Sequence, residues 1–147
     1  MTIAPFIETI HILCGVTFFG LMIASFVYVI SSVRQNDPTL FRYCLKVSLY
    51  GDVLIFPIIV VLFLTGTFMV YHHHLPMNTP WIIVAYCALS VVSVLWFLLV
   101  LIKLNAISTN AASLCYRKSF VMVNVIIILV FCMIIHDAIT QQTWLWR

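Results

Sequence analysis

Four apolar stretches, each long enough to cross a bilayer, leave this chain little freedom in how it folds. They run roughly over residues 4–33, 53–71, 81–102 and 120–135, and a spanning helix needs about 20 predominantly apolar residues. Backbone inside hydrocarbon must satisfy its own hydrogen bonds, which a helix does within its own segment. Composition agrees: 65% of the 147 residues are apolar and 7% are charged, where a soluble domain carries about a quarter charged residues. The fold class expected is all-α, an integral membrane up-down four-helix bundle forming one transmembrane domain over residues 1–147. Its helices are expected near 4–33, 38–74, 80–104 and 113–140. The main surroundings are lipid, nucleic acid is not an expected partner, and any chemistry must sit inside the bundle or in its short loops.

The placement of the few charges sets an orientation. Arg34, Arg42 and Lys46 lie between the first and second stretches, and Lys103, Arg117 and Lys118 between the third and fourth. Basic residues favour the cytoplasmic side, so the expected topology is N-out/C-out in a bacterial inner membrane, both termini periplasmic. No Lys or Arg precedes the first stretch, and that stretch exceeds the apolar core of a signal peptide, so it reads as a retained helix. Asn36-Asp37-Pro38 and Thr79-Pro80-Trp81 each read as a helix start, an N-cap followed by proline at the first helical position. Asp52 would then lie near the inner boundary as the partner of a nearby Lys or Arg. The third helix carries no charge before Lys103 and reads as scaffold.

With that topology, all five histidines fall at the outer end: His11 in the first helix, His72, His73 and His74 after the second, and His136 in the fourth. Imidazole is titratable near neutral pH and is the commonest metal ligand. Inside a bilayer it needs a hydrogen-bond partner or a metal. His11 lies six residues inside Pro5 and His136 six inside Gln142, so their depths match at about 9 Å from the outer helix ends. Two imidazoles at equal depth on neighbouring helices suit axial ligation of a b-type haem, with His72 or His73 as substitutes for His136. Gly15, one turn below His11, would let a porphyrin approach the backbone, walled by Phe18, Phe19, Phe63, Phe68 and Phe131. The expected role is electron transfer with the quinone pool or another membrane or periplasmic redox protein, or a haem-dependent oxidase. Glu8 and Asp137 would handle protons, and no residue set identifies a catalytic nucleophile or an acid/base pair.

Other readings use the same residues. His11 with Cys14, and Cys132 with His136, form two nitrogen-and-sulfur pairs that suit copper, pointing to a copper-binding or copper-transport protein. A third possibility is a structural or assembly subunit whose histidines only cap helices or bond a neighbouring helix. A homo-oligomer is compatible with each. Ordinary roles compete throughout: cysteine in an apolar helix is more often packing than ligand, and of three consecutive histidines only about one can point into a bundle. The five cysteines are scattered without a Cys-x-x-Cys pair, which excludes covalent c-type haem and makes a disulfide framework unexpected.

Ile10-His11-Ile12-Leu13 followed by Val16, Phe18 and Gly20, then Phe56-Pro57, Thr65-Gly66 and Trp96, resemble the CopD/HemJ-like group of small four-helix bacterial membrane proteins. That group includes a copper-resistance protein domain, a haem-containing protoporphyrinogen oxidase and relatives of unknown function. The resemblance implies a four-helix bundle with haem b, whose first-helix ligand would match His11. The porphyrinogen oxidases carry an important lysine early in their third helix, whereas Trp81 to Ile102 has none. The resemblance therefore points to the uncharacterised members.

Overall fold

A computed structural model describes residues 3–35, 37–109 and 114–141, with side chains described throughout except at 114–117. Four helices follow one another: α1 (Ile3–Arg34), α2 (Pro38–His72), α3 (Pro80–Ser108) and α4 (Leu114–Thr140). All four are long and apolar enough to span a membrane. The molecule is an all-α four-helix membrane bundle in up-down order.

The helix ends follow local chemistry. Asp37 caps α2, its carboxylate accepting from the Thr39 and Leu40 amides at 2.8 and 3.3 Å, and Pro38 occupies the first turn, where no intrahelical donor is needed. Thr79 and Pro80 open α3 in the same order. At its far end α2 stops at His72. His74 takes the left-handed conformation, φ 52°, while the Leu75 amide bonds back to the Val70 carbonyl and His74 to Tyr71. That is the closure usually given to glycine. The three histidines thus divide into a last helical residue, a cap and a reversal.

Helices α1 and α2 pack closely, as do α3 and α4, and lighter α2–α3 and α1–α4 seams complete a ring. The two diagonals, α1–α3 and α2–α4, meet only through side chains. On α1 the buried residues Ala4, Phe18, Ser25 and Ser32 recur every seven positions, a stripe that keeps to one helix face. His11 belongs to the same series and is its half-buried member. One continuous apolar core runs from Phe18, Leu62, Val92 and Phe131 down to Phe41, Ala106 and Phe120. Its upper edge is aromatic: Phe18 and Phe131 meet at 4.8 Å between centroids, with Phe19 at 5.8 Å from Phe131. The histidines lie beyond that edge, at the end of the bundle where α1 begins and α4 ends. The opposite end carries the α1–α2 and α3–α4 loops.

Candidate functional site

Below the aromatic edge, on the side of the two basic loops, the core contains charge. Lys103 of α3 is fully buried and Asp52 of α2 is 4% exposed. The Lys103 ammonium donates to Asp52 Oδ2 at 2.6 Å and to Ser25 Oγ of α1 at 3.2 Å. Trp96, two turns earlier on α3, donates its indole N–H to the other carboxylate oxygen at 3.2 Å. The ammonium also stands 5.7 Å from the centre of the Phe120 ring on α4, within cation–π range. One side chain therefore touches all four helices and spans the α1–α3 diagonal.

The local sequence explains this convergence. Lys103, Trp96, Leu99 and Ala106 are buried along α3 at three- and four-residue steps, a core-facing helix stripe. Lysine's long stem reaches the bundle centre from that stripe. Asp52 takes its place on α2 in the buried series Leu45, Ser48, Asp52 and Ile55. Both carboxylate oxygens are paired, and two of the three ammonium protons are used. Charges this deep persist only when paired and hydrogen-bonded. On α4, one turn from Phe120, Asn124 is also fully buried. Its amide nitrogen donates to the Phe120 carbonyl at 3.0 Å, while Oδ1 has no partner among the described residues.

The sequence foretold a partner for Asp52 but misplaced it. Lys103 was expected at the inner end of the third helix, counted with the basic residues that face the cytoplasm; α3 continues to Ser108, and Lys103 lies in the core. The third helix, read as scaffold, supplies two of the site's polar groups. A usable signal was present: a lone aspartate and a lone lysine of opposite sign, each in a long apolar segment and both toward the loop end.

The histidine end is arranged differently from a single cluster. His11 pairs through Nδ1 with Thr65 Oγ1 on α2 at 2.7 Å. Thr65 has one hydroxyl proton, which it gives to the Val61 carbonyl at 2.6 Å. The histidine is therefore the donor, which fixes the Nδ1–H tautomer and leaves Nε2 carrying the lone pair. Gly66 makes room for the ring, since a Cβ there would stand 3.3 Å from His11 Cε1. Gly15 faces Leu62 of α2, so at that level the α1–α2 seam is already filled by leucine. His73 pairs with Glu8 at 2.9 Å in an exposed contact. His72 is exposed and stacks on Phe68, and His74 forms the exposed reversal.

His136 pairs with the neighbouring Asp137 through Nδ1 at 3.2 Å. On the same side of α4, Leu129 is 63% exposed and Cys132 is exposed, while His136 is half-buried. The core face of α4 is instead Phe120, Asn124, Ile127 and Phe131. From Phe131, five residues at 100° each carry His136 about 140° around the helix, away from the face that meets α1. His136 thus lies to the side of the Phe131 face, half-buried, and its neighbour Asp137 is buried to 1% exposure. Cys14 packs against the core from α1 while Cys132 points outward, so the two His/Cys pairs are likewise not brought together. Among the described residues, no group of three His, Cys, Asp or Glu side chains gathers where it could hold a metal ion.

The ion pair yields a distinct stability pattern. Replacing Asp52 or Lys103 alone strands its partner in apolar surroundings, and Asp52→Leu or Lys103→Met should each cost about 3–5 kcal/mol. The double variant Asp52→Leu/Lys103→Met removes both charges together and should recover most of that loss. Reversible unfolding in mixed detergent micelles measures all three.

Comparison with protein families matches the chain to a family described as predicted integral membrane protein (DUF2269), over residues 5–136. No curated protein matches the chain, and no solved structure does. The match supports a small membrane-protein family and does not carry the resemblance to the CopD/HemJ-like group. It takes in α2, α3 and most of α1 and α4, and the chain belongs to the DUF2269 family of predicted integral membrane proteins.

Proposed function

We propose that this is a proton-coupled membrane protein whose working centre is the Asp52–Lys103 pair. The observation that carries the reading is the position of the Lys103 ammonium: fully buried, 2.6 Å from Asp52, and in reach of all four helices. Ionisable groups in a membrane interior are costly, and they mark ion pathways and proton relays. At this separation a proton passes from Lys103 Nζ to Asp52 Oδ2 with almost no movement of heavy atoms. The N–H bond breaks, an O–H bond forms, and the pair becomes an amine and a carboxylic acid. Both states are uncharged overall, but the second no longer holds α2, α3 and α1 together by opposite charges. A proton gained or lost by the pair therefore changes helix packing directly.

Two polar levels flank an apolar layer. Ser25, at the pair, and His11 lie fourteen residues apart on the same stripe of α1, about 21 Å along the axis. Phe18 stands midway, stacked against Phe131. In this reading the pair exchanges protons with the loop end, while the aromatic layer separates it from the terminal end. We place the basic loops in the cytoplasm and both termini in the periplasm of a bacterial inner membrane, on the distribution of Arg34, Arg42, Lys46, Arg117 and Lys118.

A second reading, haem binding at the terminal end, keeps one specific observation in its favour. The Thr65 hydroxyl holds His11 as the Nδ1–H tautomer, the arrangement that orients a metal-ligating imidazole through its other nitrogen. His11 Nε2 would hold the iron of a b-type haem, which would supply one-electron chemistry with quinone or a protein partner. His11 would be one ligand, and His136, His72 or His73 would be the candidates for the second. The copper alternative draws no such support from Cys14 and Cys132.

Purified protein reconstituted into vesicles with a trapped pH-sensitive dye tests the first reading. Under an imposed pH gradient, the wild type should dissipate it faster than protein-free vesicles, and the double variant Asp52→Leu/Lys103→Met should fall to the protein-free rate. Equal rates for the wild type and the double variant would contradict it. For the second reading, protein made with ample haem supply should show a Soret band that is lost in His11→Ala. A colourless preparation excludes haem, and stoichiometric copper without porphyrin selects the copper alternative.

A further inference from the structure

We infer that Asn124 holds a buried water molecule that completes the Lys103 site and is the proton's point of entry to it; this rests on the proton-coupled reading of the pair. Asn124 lies on the core stripe of α4 with Phe120 and Ile127, and all three are buried to 1% exposure or less. Its Nδ2 is committed to the Phe120 carbonyl, and that bond fixes the amide so that Oδ1 is the remaining group. Oδ1 is a strong acceptor with no partner among the described residues, an arrangement that buried amides rarely tolerate. Lys103 brings a donor to the same helix. Its Nζ has three protons, gives two to Asp52 and Ser25, and stands over Phe120, one turn from Asn124.

The occupant must therefore both donate to Asn124 Oδ1 and accept from Lys103, and it must be small enough for a closely packed core. Water has that chemistry, and buried waters typically bind polar groups left unsatisfied by the protein. A metal cation fits poorly beside an ammonium, and an anion fits poorly against a carbonyl oxygen. Asp52 already uses both oxygens, so the open face of the cluster is the one toward α4. The starting state is a pair that has lost one proton, with Lys103 an amine and Asp52 a carboxylate. A proton arriving on the water passes to Lys103 Nζ and leaves a neutral water still hydrogen-bonded to Asn124 Oδ1. Lys103 then hands that proton to the Asp52 carboxylate, giving an amine beside a carboxylic acid, with the water unchanged. Asn124 in this scheme is a positioning residue, acting through the water it holds.

Infrared difference spectra, recorded in ordinary water and in water labelled with the heavy oxygen isotope, test the assignment. The wild type should show an isotope-sensitive O–H stretch from a weakly bonded buried water. Asn124→Leu, which removes the acceptor at similar size, should lose that band. Asn124→Thr, which restores an acceptor oxygen, should retain it. Absence of any isotope-sensitive band in the wild type, or its persistence in Asn124→Leu, overturns the water site, and the wild-type spectrum decides this even where the leucine variant does not fold. Vesicle proton movement is measured in parallel. A wild type that moves no protons but shows the band defeats the proton-coupled reading alone, whereas proton movement without the band defeats the water site alone.

Discussion

Everything in this bundle has to accommodate one lysine and one aspartate held 2.6 Å apart in its buried core. Apolar helices in lipid gain little from hydrophobic association, because lipid tails are as apolar as leucine; packing and interhelical polar contacts decide how they meet. The Asp52–Lys103 contact binds α2 to α3, the Ser25 hydroxyl draws in α1, and the ring of Phe120 brings in α4. The closely packed pairs α1–α2 and α3–α4 would otherwise share only lighter seams. A pair that fixes helix arrangement and also exchanges a proton ties the packing of the whole bundle to its protonation.

The remaining polar contacts sort by depth. From the pair toward the loop end, Ser32 and Ser48 are buried and bond backbone carbonyls of their own helices, so they add no charge. Above the Phe18–Phe131 layer, His11 and Thr65 join α1 to α2, and further out Glu8 and His73 join them again in an exposed contact. Thr67 and Tyr86 make the corresponding link from α2 to α3 at 2.8 Å. Hydroxyls and imidazoles thus stitch adjacent helices at the terminal end. The diagonal crossing belongs to Lys103 alone among the described hydrogen bonds.

Much of the architecture was legible in the sequence, because a bilayer admits so few solutions. Four apolar segments specify four helices, and the Asp37-Pro38 and Thr79-Pro80 signals locate two of their starts. Histidine position along the axis was equally readable. What a linear reading loses is rotation. His136 was matched to His11 by depth, but the angular position of His136 depends on which face of α4 is core. That face is set by Phe120, Asn124 and Phe131, and their pattern was available to be read. Lys103 was lost for another reason. A lysine near a helix end ordinarily snorkels toward the interface; this one turns inward because Asp52 and Ser25 offer an alternative to water. That choice depends on two other helices and on no local signal in α3.

The central claim is that Asp52 changes protonation within the membrane. Infrared difference spectroscopy of the wild type across a pH step measures this directly. The account predicts a carboxylic-acid carbonyl band that appears as the carboxylate band declines, with both signals absent in Asp52→Asn. An Asp52 carboxylate band that stays constant across every pH at which the protein remains folded would contradict it, leaving the pair as a structural clamp.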